Sequence, residues 1–95
     1  MRLLSITESV KPDKKFTAIF DVDGRKKTTH FGAAGMDDYT ITKDKTQRAH
    51  YRERHAKDLK TNNPTRAGFL SYYILWGDSV SLKKNIDSYV KRFDL

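Results

Sequence analysis

Between Lys43 and Lys57 the chain sets six long cations, Lys43, Lys45, Arg48, Arg52, Arg54 and Lys57, among His50, Tyr51 and His55. Cationic side chains spread along one element, with hydrogen-bonding and ring side chains between them, suit contact with a phosphate backbone. If the segment is helical, Arg48 and Arg52 lie one turn apart with Lys45 at i−3, on a common face. Arg54 and Lys57 then lie round the side. Two like charges one turn apart destabilise an isolated helix unless an anion offsets them. Arg48 and Arg52 are therefore the pair expected to meet a polyanion, with Lys26 and Lys27 as flankers. The competing reading is a solvated helix laced by pairs such as Glu53–Lys57 and Arg54–Asp58.

Other chemistry finds less support. His50 and His55 are five residues apart, off-register for one metal, and no H-E-x-x-H occurs. Tyr51 and His55 share a helical face with Leu59 and are expected to pack inward, while His30 is placed to pair with Thr17. Asp37 and Asp38 are adjacent, whereas two-metal sites draw carboxylates from separate elements. A nuclease-like group of Asp21, Asp37 or Asp38 with Lys26 can be drawn, but no spacing demands it. The chain contains no cysteine, so thiolate chemistry and disulfides are excluded. No catalytic residue, metal or cofactor is expected.

The 95 residues carry 19 Lys and Arg against 12 Asp and Glu, a formal net charge of +7. Residues 42–64 hold seven basic side chains against three acidic ones, so the excess sits in the middle of the chain. This favours a nucleic-acid partner, and the absence of a long apolar run argues against a membrane. The length suits one domain with a thin core and modest stability.

These side chains need a scaffold. Phe16, Ala18, Phe20 and Val22 alternate with polar neighbours, and Asp23-Gly24 is a strong two-residue turn signal. The implied register sets Val22 opposite Arg25, Thr17 opposite His30 and Phe16 opposite Phe31. Phe31 then joins the apolar face. The hairpin spans residues 14–32, and Leu3, Leu4 and Ile6 offer a third strand beyond Pro12. A connector over 33–42 follows. In it Gly32, Gly35, Asp38 and Tyr39 form a structural joint, with Met36, Tyr39 and Ile41 pinning it to the core. Three helices are expected. A basic one spans 43–59 with Thr42 as N-cap. A central one spans 64–76, capped by Asn63 with Pro64 first, and stops at Gly77 as a C′ residue. A C-terminal one spans 80–93, with Leu82, Ile86, Val90 and Phe93 inward and Tyr89 flanking. The central helix, with its wide apolar sector, should be the most buried. The fold class is α+β, an N-terminal hairpin packed against three short helices as one domain.

The ordered motifs His30-Phe31-Gly32, Asp38-Tyr39-Thr40, Tyr51 with Arg54-His55, Pro64-Thr65, Ala67-Gly68, Ile74-Leu75-Trp76, Tyr89 and Arg92-Phe93 carry a resemblance. Over residues 14–93 the chain resembles a family of small basic proteins of large DNA viruses of algae and amoebae. It departs from that family at Leu59, near which members carry a tryptophan. The resemblance implies a viral protein located in the virion or in the nucleus or cytoplasm of the infected cell, and not secreted. It implies no mechanism. Two functions follow as expectations: sequence-independent binding of nucleic acid, DNA before RNA, or genome packaging in a large DNA virus; and a minor capsid or core protein acting through protein contacts. The oligomeric state is left open, because an exposed hairpin edge could pair with a second copy.

Overall fold

In the computed structural model, which describes residues 1–95, Asp23 and Gly24 take φ values of 53° and 83°. Both central residues of the turn thus lie where the twist of the flanking strands requires them. The Asp21 carboxylate accepts from the Gly24 N–H at 2.9 Å. The turn joins β2 (Lys14–Val22) to β3 (Arg25–Ala33). The register is the expected one, with Val22 opposite Arg25, Thr17 opposite His30 and Phe16 opposite Phe31. The third strand exists: β1 (Arg2–Glu8) pairs antiparallel with β2, giving the order β1-β2-β3. Leu3 lies opposite Phe20 and Ile6 opposite Ala18, with an irregularity between Leu3 and Ser5. Strand alternation alone would send residues three apart to opposite faces. The bulge lets both reach the core and leaves Leu4 exposed.

Four helices follow. Asp38 caps α1 (Tyr39–Thr42), its carboxylate accepting from the Thr40 N–H. Asp44 caps α2 (Lys45–His55) by accepting from the Thr46 and Gln47 N–H groups. A 3-10 turn (Ala56–Thr61) continues it. The central helix begins as α3 (Ala67–Leu70) and widens into a π-helical turn (Ser71–Leu75). Last comes α4 (Leu82–Arg92), capped by Ser81. The core between sheet and helices is Ala18, Phe20, Phe31, Tyr39, Phe69, Leu70, Ile74, Leu75, Trp76 and Tyr89. The architecture is α+β, and the central helix contributes most of the helical side of the core. No helix is long and apolar enough to cross a membrane.

Several expected boundaries are corrected. The basic helix does not start at Lys43 behind a Thr42 cap. Lys43 takes φ 57°, which ends α1, and the carboxylate of Asp44 then caps α2. A charged acceptor at a helix N-terminus gains from the macrodipole, which the Thr42 hydroxyl does not. Asn63 and Pro64 do not open the central helix. The Asn63 side chain accepts from both the N–H and the hydroxyl of Thr65, an Asx-type turn that delays the helix to Ala67. Gly77 has no positive φ. Glycine is needed there for close approach, since a Cβ would strike the Tyr73 carbonyl and stand 2.7 Å from Asn85 Cγ. Tyr89 does not flank the core; it is buried in it and donates its hydroxyl to the Pro64 carbonyl at 2.5 Å. Met36 and Ile41 pin nothing, being 64% and 59% exposed.

Candidate functional site

The cationic helix divides into an inward and an outward part. Arg48, Tyr51, Arg52 and His55 follow helical spacing on the side facing the core. The exposed surface of α2 carries Lys45, Thr46, Ala49, His50, Glu53 and Arg54. Arg48 Nη1 donates to the Gly77 and Asp78 carbonyls at 3.2 Å each. Arg52 Nε donates to the Trp76 carbonyl at 2.8 Å, and Nη2 to Asp78 Oδ1 at 2.9 Å. Both guanidiniums also lie over rings, Arg48 over Tyr39 at 4.4 Å and Arg52 over Tyr72 at 5.7 Å. The pair expected to meet an external polyanion is thus engaged within the chain. The anion that offsets their repulsion is the carbonyl end of the central helix together with Asp78.

Asn85 completes this collar. Its buried side-chain amide donates to the Ile74 and Ser79 carbonyls at 2.8 and 2.7 Å and accepts from the Ser79 N–H at 3.0 Å. Helix C-termini leave carbonyls without intrahelical donors. Here three side chains from α2 and α4 supply donors to Ile74, Trp76, Gly77, Asp78 and Ser79.

The remaining expected contacts scatter. Lys27 lies on the core side of the sheet and donates to Thr65 Oγ1 at 2.9 Å, so it does not flank a polyanion surface. Lys26 is exposed opposite Asp21. Lys43 and Lys45 are exposed before and at the start of α2, while Arg54 and Lys57 are exposed at its far end. Lys45 and Arg54 are nine residues apart, about 14 Å along the axis. One unbroken cationic face does not form.

The tertiary structure does assemble a cleft of about 600 Å³ between the end of the hairpin and the helices. Lys14, Lys15 and the connector residues Gly35 to Asp38 form one wall. Tyr51, Arg54, His55 and Asp58 form the other, with Ser71 and Trp76 from the central helix. Of the joint residues, Gly32, Gly35 and Asp38 line the cleft. Gly32 has φ 79°, and a Cβ on it would stand 2.8 Å from Leu75 Cδ1, so only glycine lets strand and helix meet there. Asp38 is buried, paired with Lys15 Nζ at 2.5 Å and bonded to the Thr40 N–H at 2.9 Å. Tyr39 is buried beside it.

On the helical wall three rings stack, Tyr51 on Trp76 at 4.4 Å and on His55 at 4.1 Å between centroids. Tyr51 and His55 thus pack inward as expected. Burial pushes the Tyr51 hydroxyl above the ordinary tyrosine range, partly offset by its hydrogen bond with Ser71. His55 Nδ1 lies 3.0 Å from Asp58 Oδ2, which fixes the ring's orientation. His30 bonds Thr17 Oγ1 at 2.7 Å on the opposite face of the sheet, the pairing the register implies. Lys15 is paired with Asp38 and Asp58 is bonded to His55, which leaves Lys14 and Arg54 as the cations of the cleft without an ion-pair partner. No group of three or more acidic, His or Cys side chains that could hold a metal is present. Lys14 and Ser71 were not singled out by the sequence. Nothing local distinguishes the Lys14-Lys15 pair from any solvated lysine pair.

A family model matches residues 4–55, which hold the sheet, the connector and α2. The chain belongs to a family of unknown function, DUF5754. The DUF5754 segment supplies the lysine wall and the aromatic-cationic face of α2, while the central helix that backs the cleft lies beyond it. No curated protein and no solved structure matches the chain.

Proposed function

We propose that this protein is a non-enzymatic nucleic-acid-binding protein that takes a polynucleotide strand into this cleft without regard to sequence. One observation carries the reading: unpaired Lys14 and Arg54 stand on opposite walls of a cleft that also holds the rings of Tyr51, His55 and Trp76. Cations that follow a phosphate backbone, beside a ring face on which a base stacks, are the two components of sequence-tolerant single-strand binding. Tyr51 lies between Trp76 and His55, so that ring face is the outer one of His55, whose side chain is 38% exposed. The net charge of +7 adds long-range attraction. The resemblance to proteins of large DNA viruses makes genome handling the setting of this activity.

The chain has a single tryptophan, Trp76, and it lines the cleft, so its emission reports occupancy. Titration with a single-stranded oligonucleotide at two salt concentrations should show binding that weakens as salt rises. In the Lys14→Ala, Arg54→Ala double variant the salt slope should shrink by about 1.4, two phosphate contacts' worth for a single strand. Equal affinity and slope in wild type and variant would sink the proposal.

A role as a virion structural protein is the second reading, favoured by exposed Val10, Met36 and Ile41, which are 94%, 64% and 59% accessible. Ile41 lines a concavity with Phe16 and Ala34, beside Glu8, Lys15 and Asp38. That reading calls for weak binding to free nucleic acid and retention of the protein in emptied particles.

A further inference from the structure

A second concavity, about 210 Å³, opens between the end of the central helix and α4 and shares no lining residue with the cleft. Arg52 comes to it from α2, Arg92 and Ser88 from α4, and Asp78 from the intervening loop. Arg92 forms no hydrogen bond or ion pair within the chain; its guanidinium lies over the Tyr73 ring at 4.9 Å. Arg52 is held from behind by the Trp76 carbonyl and lies over Tyr72. The only carboxylate in the concavity is Asp78, bonded to Arg52 Nη2 at 2.9 Å. The Arg52 hydrogen bond, with the nearby charges of Arg52, Arg48 and Arg92, holds its carboxyl below the ordinary range. Yet the Asp78 side chain is 82% exposed, whereas that of Arg52 is 26% exposed. Arg52 is anchored, and its anion is not.

We propose that this concavity is a phosphoryl-binding site, clamped by Arg52 and Arg92, in which Asp78 stands in for the phosphate when the site is empty. An exposed ion pair contributes little, so the Asp78 carboxylate leaves Arg52 at small cost. A phosphoryl group carries more charge and offers three acceptor oxygens, enough to engage two guanidinium forks at once. A carboxylate on one flexible side chain engages Arg52 alone. Ser88, at the rim, adds a hydroxyl donor. The tyrosine rings beneath Arg52 and Arg92 restrict both side chains beforehand, which reduces the ordering cost of binding. The site is independent of the cleft, and its ligand is a phosphate monoester or free phosphate, including the terminal phosphate of a polynucleotide strand.

The probe is inorganic phosphate, titrated against the full-length protein with chloride holding ionic strength constant. The thermal midpoint and the side-chain NMR signals of the arginine Nε–H groups serve as readouts. Phosphate should raise the midpoint and shift the Arg52 and Arg92 signals. Asp78→Asn should bind phosphate roughly tenfold more tightly, because a competing negative charge is removed. Arg92→Gln should bind roughly tenfold more weakly. Absence of phosphate-specific shifts, unchanged affinity in Asp78→Asn, or wild-type affinity in Arg92→Gln each overturns the proposal. Oligonucleotides with and without a 5′-phosphate identify the source. Preference for the phosphorylated strand assigns the site to strand ends, and equal binding assigns it to small phosphates. The phosphate titration does not involve Lys14 or Arg54, so its failure is distinguishable from failure of the cleft reading.

Discussion

Arg48 and Arg52 illustrate how a residue type can be read correctly while its partner inside the chain goes unseen. Their one-turn spacing and mutual repulsion do call for a compensating negative partner. The partner is the carbonyl end of the central helix, 24 to 30 residues further along the chain. Replacing both should therefore act first on folding. The Arg48→Ala, Arg52→Ala variant is expected to lose about 2–4 kcal/mol of stability through lost charge-assisted hydrogen bonds and exposed carbonyls. Urea unfolding followed by Trp76 fluorescence measures it, and a midpoint equal to wild type would show the collar to be superfluous. Asp38 follows the same logic with a different outcome. The sequence marks it as a joint residue, and the structure shows why. It caps α1 and neutralises Lys15, whose side chain is 13% exposed against 3% for Asp38. Asp38→Ala leaves a mostly buried ammonium without its partner, and a loss of about 3–5 kcal/mol is expected in the same assay.

Among the elements, the two strands of the hairpin were legible in full, because alternation and turn chemistry are local. The three expected helices were legible as helices but not at their ends, and α1 lies inside the expected connector. Thr42 and Asp44 are both acceptable caps, and only Lys43 in the left-handed region separates α1 from α2. The π-helical turn had no sequence signature. It appears where the Trp76 N–H reaches the Ser71 carbonyl at 3.0 Å, and where Asn85 supplies a donor to Ile74. α4 was read as a surface helix from its apolar stripe, yet Tyr89 on it is buried among Phe69, Tyr73 and Phe93. Burial pushes the Tyr89 hydroxyl far above its ordinary value of 10.0. The unfolded chain releases this proton first, so the folded state holds the extra proton at high pH. The contribution is complete below pH 10 and declines as pH rises above it. Wild-type stability should fall above pH 10 by up to about 1.4 kcal/mol per pH unit for this group. Tyr89→Phe should start about 1 kcal/mol lower from the lost bond to Pro64. Its decline should be shallower, with a remainder from Tyr51, which burial shifts in the same direction. Parallel pH profiles of the two proteins would contradict this.

At the scale of the whole molecule, the family segment and the folding unit differ. Six of the ten core residues, Phe69, Leu70, Ile74, Leu75, Trp76 and Tyr89, lie after Thr61. A fragment ending at Thr61 contains the sheet and α2 but has nothing to cover Phe20 and Phe31. It is expected to show no cooperative thermal transition and poor dispersion of amide signals, whereas a sharp transition would show that the sheet and α2 suffice. Composition, net charge, hairpin register and the apolar stripes were determined by the sequence itself, because each depends on residues close together in the chain. The fate of each cation was decided only by tertiary structure: Arg48 and Arg52 drawn inward, Lys27 tied to Thr65, Lys14 and Arg54 left without an ion-pair partner in the lining of one cleft. A charged side chain's role depends on which carbonyl, carboxylate or ring stands within hydrogen-bond reach. Here those partners come from segments that meet only when the central helix docks against the sheet.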